Sequence, residues 1–418
     1  MRALDKVIGY SSIKEELYRI VDALKNEDKY KAMGVSEPKG LMLIGDPGVG
    51  KTLLAECIIE EIGRKSFVIR KTRSDGEFIN YIKNTFEEAK KYAPSVILID
   101  DMDRFENNDK EKVNGEAYIA IQALIDEIKD YNVYVIATVN DEILLPESLV
   151  RDGRFDKKIY MRAPRGEDAV NIVKHYLKDF SYVGNVDVNF IAKILDGRSC
   201  ATLKNVINEA GIRAGYKNKE KIDMDDILSA SLRVIFEAPE SLNDVDYKHI
   251  RTIACHEAGH AVIKEVLEPG SVNIVTVLKH DGDVGGITSS SRDDNYYNDI
   301  DFLENNIVTL LGGKAATELI YGKIDVGCSN DIDRAFSTVN RIVGRYSGIS
   351  FRSHYDYSSE PTWANNNREK EIEFKMQEYY NKSKRILAEN REFLAKMIDM
   401  LVEKKTITYM DIKKLRGV

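Results

Sequence analysis

The sequence predicts a multidomain chain, with a doubly wound α/β domain, a small helical domain and a mainly α-helical C-terminal domain. Three observations predict this. Over residues 1–163, short apolar runs rich in β-branched residues alternate with helix-like segments, as in a parallel sheet covered on both faces. Residues 164–238 carry four helical patterns and no strong strand. From residue 246 to residue 418, long helices surround one hairpin-like region. A length of 418 residues fits two or three domains at about 150 residues each.

Residues 12–25 read as an amphipathic helix. "GLMLIG" is a short apolar run entering a glycine-rich turn, and "TLLAECIIEEIG" is helical and stops at Gly63. "SFVIR", "SVILIDD" and "VYVIATV" read as buried parallel strands, with helices over 77–92 and 114–129. "GEDAVNIVKHYL", "VNFIAKIL", "CATLKNVINEAGIRAGYK" and "DMDDILSASLRVIF" are the four helices of the second part. "EAPESLNDVDYK" is a polar linker. In the third part "SVNIVTVLKHDGDVGGITSSS" is the hairpin-like region, and 366–404 is helical and highly charged. "SSSRDDNYYND" and "RSHYDYSSEPTWANNNREKE" read as loops.

The 43% of hydrophobic residues is enough for real cores. A net charge of −8 shows no basic excess, which argues against nucleic acid as the main partner. Cys57, Cys200, Cys255 and Cys328 stand far apart without a C-x-x-C pair, so they read as reduced thiols in a cytoplasmic protein. Two of them lie near candidate ligands, but a small buried hydrophobe is the simpler role. The chain has no membrane segment, since no apolar run approaches the ~18 residues a spanning helix needs, and its start lacks a signal-peptide core. An N-terminal anchor on a longer form would make it membrane-associated.

"GDPGVGKT" matches G-x-x-x-x-G-K-[ST] between a strand and a helix. Asp46, Pro47, Gly48, Val49 and Gly50 form the turn whose backbone N–H groups wrap phosphates, with Leu53 just beyond it. Lys51 reaches the β- and γ-phosphates of ATP and Thr52 helps hold Mg²⁺. Asp100, ending "SVILIDD", is the Mg²⁺-associated carboxylate, and Asp101 is the acid that activates water. Asn140, ending the next strand, orients that water or senses the γ-phosphate.

"CHEAGH" contains H-E-x-x-H. On a helix, His256 and His260 lie on one face and can share one Zn²⁺, with Glu257 beside them as general base. A catalytic zinc keeps three protein ligands and an open position, so a third ligand comes from elsewhere. Glu318 is one candidate carboxylate, more in keeping with a supporting role. His175, His249, His280 and His354 have no paired spacing.

Together "PKGLMLIGDPGVGKT", "SVILIDDMDRF", "VYVIATVND" and "LVRDGRFDKKIYM" resemble an AAA+ ATPase domain, and "GRSCATLKNVINEA" resembles its lid. "ACHEAGHAVI", "LLGGKAATELIYG" and "CSNDIDRAFSTVNRIVGRYSGIS" resemble the zinc metallopeptidase domain of the FtsH family, and the resemblance covers nearly the whole chain in the same order. It implies an ATP-dependent zinc endopeptidase that unfolds, threads and degrades protein substrates as a homohexamer. It also implies Asp331 as the third zinc ligand, and Arg151 and Arg154 as arginine fingers toward the neighbouring subunit's ATP.

Two departures bear on that implication. The family places Glu where this chain has Asp101, one methylene shorter. The segment "SDGEFINYIKNTF" is shorter than the family's aromatic pore loop, with Phe78 the candidate gripping residue and burial its rival role. Asp101 leaves open an ATP-binding scaffold with ATP-independent metallopeptidase activity. A non-proteolytic remodelling ATPase is the other alternative, opposed by the complete His256, Glu257, His260 and Asp331 set.

Overall fold

The computed structural model describes residues 2–35, 38–72, 75–105, 115–151, 153–178, 180, 184, 186–236, 247–278, 286–290, 299–323, 326–346 and 362–417. Contacts divide the chain into two compact units, Met1–Ile227 and Leu228–Val418. The helices expected as a separate segment from residue 164 thus belong mostly to the first unit, and the division falls inside the Met224–Phe236 helix.

The first unit is built on a parallel sheet ordered β2-β3-β4-β1-β5, from β1 (Gly40–Ile44), β2 (Lys65–Ile69), β3 (Ser95–Ile99), β4 (Val133–Val139) and β5 (Lys157–Tyr160). The alternation of side chains along a strand decides the layers. Leu41, Leu43, Val96, Leu98, Tyr134 and Ile136 enter a core with Leu17, Ile20, Leu54 and Ile58 from the helices Ser11–Lys25 and Lys51–Ile62. Met42, Ile44, Ile97, Ile99 and Val135 enter a second core on the other face, with the helices Asp75–Lys91 and Glu116–Glu127. Both faces are therefore covered, which explains why β1, β3 and β4 are buried along their whole length.

Phe78 belongs to this second core. It is fully buried, with its ring edge-on to Phe105 at 4.9 Å, so the expectation of an exposed gripping aromatic is corrected. The cause is helical spacing: Phe78, Ile82 and Phe86 form one stripe of the Asp75–Lys91 helix facing the sheet. The helices Gly166–Leu177, Val188–Ile194 and Cys200–Tyr216 complete the first unit. Asp187 and Ser199 cap the last two through side-chain acceptors for Phe190 N and Thr202 N.

In the second unit the Tyr247–Leu267 helix is central, with Ala254, Cys255, Ala258, Ala261, Val262 and Ile263 all fully buried. The helices Ile300–Leu310, Gly312–Tyr321, Ser329–Arg341, Thr362–Glu389, Arg391–Lys404 and Tyr409–Arg416 follow it in sequence. A small antiparallel sheet ordered β7-β6-β8 comprises β6 (Val272–Thr276), β7 (Ile287–Ser290) and β8 (Thr406–Thr408). β6 and β7 are the expected hairpin, and the residues between them at 279–285 lie outside the described residues.

Two further expectations change. The charged helix over 366–404 breaks at Asn390, and a helix already begins at Thr362 inside the stretch expected as a loop. The rest of that loop, residues 237–246 of the interdomain linker, His280 and His354 lie outside the described residues. Among the described residues no helix is long and apolar enough to cross a membrane.

Candidate active site and nucleotide-binding loop

Parallel register brings the C-terminal ends of three strands together, with Ile44 beside Val139 and Ile99 beside Ala137. The turns beyond them carry the phosphate loop, Asp100–Asp101 and Asn140. Gly50 has φ 101°, a conformation that favours glycine, and opens the Lys51–Ile62 helix, whose N-terminus faces the loop. Gly48 passes so close to the Cys200–Tyr216 helix that an added Cβ would lie 2.8 Å from the Ala201 methyl.

The Lys51 ammonium is nearly buried and donates to Gly45 O (2.6 Å), Asp46 O (3.0 Å) and Asn140 Oδ1 (2.8 Å). Burial pulls its pKa down, against the opposing pull of Asp101 and Asp103. Asp100 Oδ1 accepts from Thr52 Oγ1 (3.0 Å) and Thr138 Oγ1 (2.7 Å), while Oδ2 accepts from Arg70 Nε (2.9 Å). Asp101 adopts φ 51°, donates its N–H to Thr138 Oγ1 (2.8 Å), and its carboxylate lies 3.5 Å from Arg104. Asp103, which the sequence reading missed, is buried and accepts from Asn140 N (3.1 Å) and Nδ2 (3.0 Å). It fixes which end of the Asn140 amide faces Lys51.

A cleft of about 600 Å³ lies within the same unit, lined among others by Ile8, Gly9, Asp168, Lys174 and His175. Next to Gly9, the Tyr10 hydroxyl lies 2.9 Å from Arg162 O and 3.1 Å from Val49 O, which ties the cleft to the phosphate loop. The two arginines expected together are separated. Arg151 is exposed. Arg154 is 4% exposed, holds Asp126 through Nε (3.1 Å) and a terminal nitrogen (2.6 Å), and also donates to Ser148 O. In this structure the Arg154 guanidinium thus faces its own domain, and Arg151 is the exposed one of the two. Asp126 offers the guanidinium a bidentate, charge-assisted match inside the fold.

In the second unit, His256, His260 and Asp331 each direct one ligand atom to a common point. Nε2 of His256 and Nε2 of His260 are 3.0 Å apart, and Asp331 Oδ2 lies 3.2 and 3.1 Å from them. The histidines are one turn apart on the Tyr247–Leu267 helix, and Asp331 sits in the first turn of Ser329–Arg341. Four ligands held tetrahedrally at zinc–ligand distances near 2.0–2.1 Å stand about 3.3 Å apart, so the three atoms fit Zn²⁺ with a fourth position open. His260 Nδ1 is 2.8 Å from Thr309 O, which only accepts, so this nitrogen carries the proton and Nε2 presents its lone pair. Burial lowers the His260 pKa, but hydrogen bonding to Asp331 outweighs it and raises the value to about 9. Burial also acts to raise the Asp331 pKa, yet the two histidines hold it well below the usual carboxylate range. The field that favours a proton here favours a cation among these ligands.

Glu257 is buried beside the first histidine, and burial raises its pKa against the opposing effects of His260, His256 and Thr288. Its Oε2 accepts from Thr288 Oγ1 (2.8 Å) on β7. Close glycine contacts bring the Gly312–Tyr321 helix against this centre. A Cβ on Gly259 would lie 2.4 Å from Gly312 O, and one on Gly313 would lie 2.4–2.6 Å from three atoms of the His256 ring. The rival Glu318 is elsewhere engaged, accepting from Tyr380 and pairing with Lys314 and Lys384 at 3.5 Å. Cys255 and Cys328 are buried but not among the clustered ligands. Thr309, Thr288 and Gly313 escaped the sequence reading, although a Gly-Gly pair in a helical pattern was a signal for the last.

Fold and sites together define an AAA-type ATPase joined to a metallopeptidase. Residues 41–163 match the ATPase family associated with various cellular activities (AAA), and residues 244–415 match peptidase family M41. The chain is 30% identical to the ATP-dependent zinc metalloprotease FtsH of Caldicellulosiruptor bescii, over 98% of this chain and 71% of the relative. It is 31% identical to that of Bacillus subtilis, over 98% of this chain and 69% of the relative. To FtsH 2 of Thermoanaerobacter it is 30% identical, over 98% of this chain and 82% of the relative. The chain belongs to the FtsH family of ATP-dependent zinc metalloproteases, with Zn²⁺ and ATP as its cofactors.

Proposed function

We propose that the chain assembles as a homohexamer that uses ATP to unfold and thread protein substrates, and cleaves them at the His256–His260–Asp331 centre. The observation that carries the reading is the convergence of three ligand atoms from two helices, the first and last of them 75 positions apart in sequence. His256 Nε2, His260 Nε2 and Asp331 Oδ2 hold the zinc. Bound Zn²⁺ supplies Lewis acidity toward a peptide carbonyl and lowers the pKa of water. Glu257 takes the proton of the attacking water and returns it to the departing amine, a role its burial suits by raising its basicity. β7 is the edge strand of the small sheet and offers main-chain groups to an extended substrate chain.

In the first unit, the backbone of Asp46–Gly50 cradles the phosphates, and Leu53 flanks the loop on the helix that follows. Lys51 exchanges its backbone acceptors for phosphate oxygens, and Thr52 and Asp100 lie where Mg²⁺ binds. Asn140 and Asp101 face the attacking water, and the cleft beside Tyr10 takes the adenosine end. Arg151 reaches the nucleotide of the next subunit. The need for ATP favours the cytoplasm as the place of work.

Glu257→Gln is the direct test. It should keep the metal and lose cleavage of a short unstructured peptide by about 10² or more. Cleavage at the parental rate with zinc in place removes Glu257 from the role of base.

A further inference from the structure

We infer that Thr288 is a positioning residue for Glu257, holding its carboxylate in both protonation states. This rests on the reading of Glu257 as the general base. Glu257 projects from a helix, but its carboxylate is gripped from a different element. Thr288 Oγ1 lies 2.8 Å from Oε2 and 3.1 Å from the backbone carbonyl of Glu257 itself. Gly286, just before β7, borders the other oxygen. A Cβ at Gly286 would lie 2.7 Å from Glu257 Cγ and 2.9 Å from Oε1. One oxygen is thus tied by a hydroxyl, while the other is walled by bare backbone.

The chemistry of a hydroxyl suits both states. It has one proton and two lone pairs. When Glu257 is ionised, both neighbours are acceptors, and the proton goes to the charged Oε2, the stronger bond. When Glu257 has taken a proton on its other oxygen, Oε2 becomes the carbonyl oxygen of the acid and goes on accepting from the same hydroxyl, so the proton stays free to be returned to the departing amine. The carboxyl group therefore has a partner before and after proton transfer without changing rotamer. An isosteric methyl in place of the hydroxyl would offer neither bond. Serine would offer both.

The test uses the full chain with Thr288→Val, Thr288→Ser, Glu257→Gln and the double variant Glu257→Gln/Thr288→Val. Each is assayed for kcat and KM on a short unstructured fluorogenic peptide, for bound zinc and for ATP turnover. A crystal structure of Thr288→Val reports where the Glu257 carboxylate sits. Thr288→Val should lower kcat by about 10- to 100-fold with KM within about twofold. Zinc content and ATP turnover should be parental, and the Glu257 carboxylate should leave its position. Thr288→Ser should recover most of the loss. On the Glu257→Gln background, Thr288→Val should cost almost nothing more, because the two act as a unit. Parental kcat in Thr288→Val beside an inactive Glu257→Gln overturns this inference alone. So do a change confined to KM, loss of zinc, failure of serine to restore, or full additivity in the double variant. Parental cleavage by Glu257→Gln overturns the base assignment beneath it as well.

Discussion

Replacing Gly313 by alanine adds one methyl group against the Cε1 edge of the His256 ring. The new Cβ would lie 2.4 Å from Cε1, 2.5 Å from Nε2 and 2.6 Å from Nδ1. Carbon–carbon contacts settle near 3.5 Å, so ring or helix must move by about 1 Å. Zinc–ligand distances hold to about 0.2 Å. The displacement is several times that tolerance, and Nε2 is the atom that moves off the common point. Helix propensity acts the other way, since alanine is about 1 kcal/mol better than glycine inside a helix. The variant should therefore fold and turn over ATP as the parent does, while its zinc affinity falls by at least about 10- to 100-fold. The assay is zinc retained at equilibrium against a graded chelator, run beside peptide cleavage and ATP turnover. Parental zinc affinity in Gly313→Ala would show that the close approach of this helix does not hold His256 in place.

Three further predictions concern the first unit. Subunits carrying Arg151→Ala, mixed with subunits carrying Lys51→Ala, should regain part of the ATPase activity that each lacks alone, because some interfaces then pair an intact Lys51 with an intact Arg151. No recovery in verified mixed rings would end the reading of Arg151 as acting between subunits. By contrast, Arg154→Ala should lower thermal stability by about 1–3 kcal/mol through loss of its bonds to Asp126. Asp103→Asn should leave ATP affinity near parental and lower kcat for ATP by about tenfold or more, since Asn140 loses the carboxylate that fixes its amide. An unchanged kcat would reduce Asp103 to a structural acid.

The strands β1, β3 and β4 were legible because a parallel sheet buried on both faces leaves uninterrupted apolar runs. β5 was not named as a strand, because three of its four residues are exposed at the sheet edge. β8 has three residues, too few for any periodicity to show. His256, Glu257 and His260 were legible by type and spacing, one helical turn of H-E-x-x-H, whereas Asp331 came only with the family resemblance. Residues that act through others were not legible. Thr288 meets Glu257 across 31 residues and Asp103 meets Asn140 across 37, and a lone threonine or aspartate carries no local sign of either contact. Phe78 misled for the opposite reason. It sits in a suggestive motif, but a helical stripe draws it inward.

The central claim is that ATP drives access to a zinc centre whose chemistry is complete within the second unit. The most direct measurement compares parent and Lys51→Ala on two substrates, a stably folded protein and a short unstructured peptide, with zinc content and ring assembly verified for both. Lys51→Ala removes the ammonium now held by Gly45 O, Asp46 O and Asn140. The expected result is that degradation of the folded protein stops while peptide cleavage continues near the parental rate. Degradation of the folded protein by Lys51→Ala as fast as by the parent would contradict ATP-driven threading.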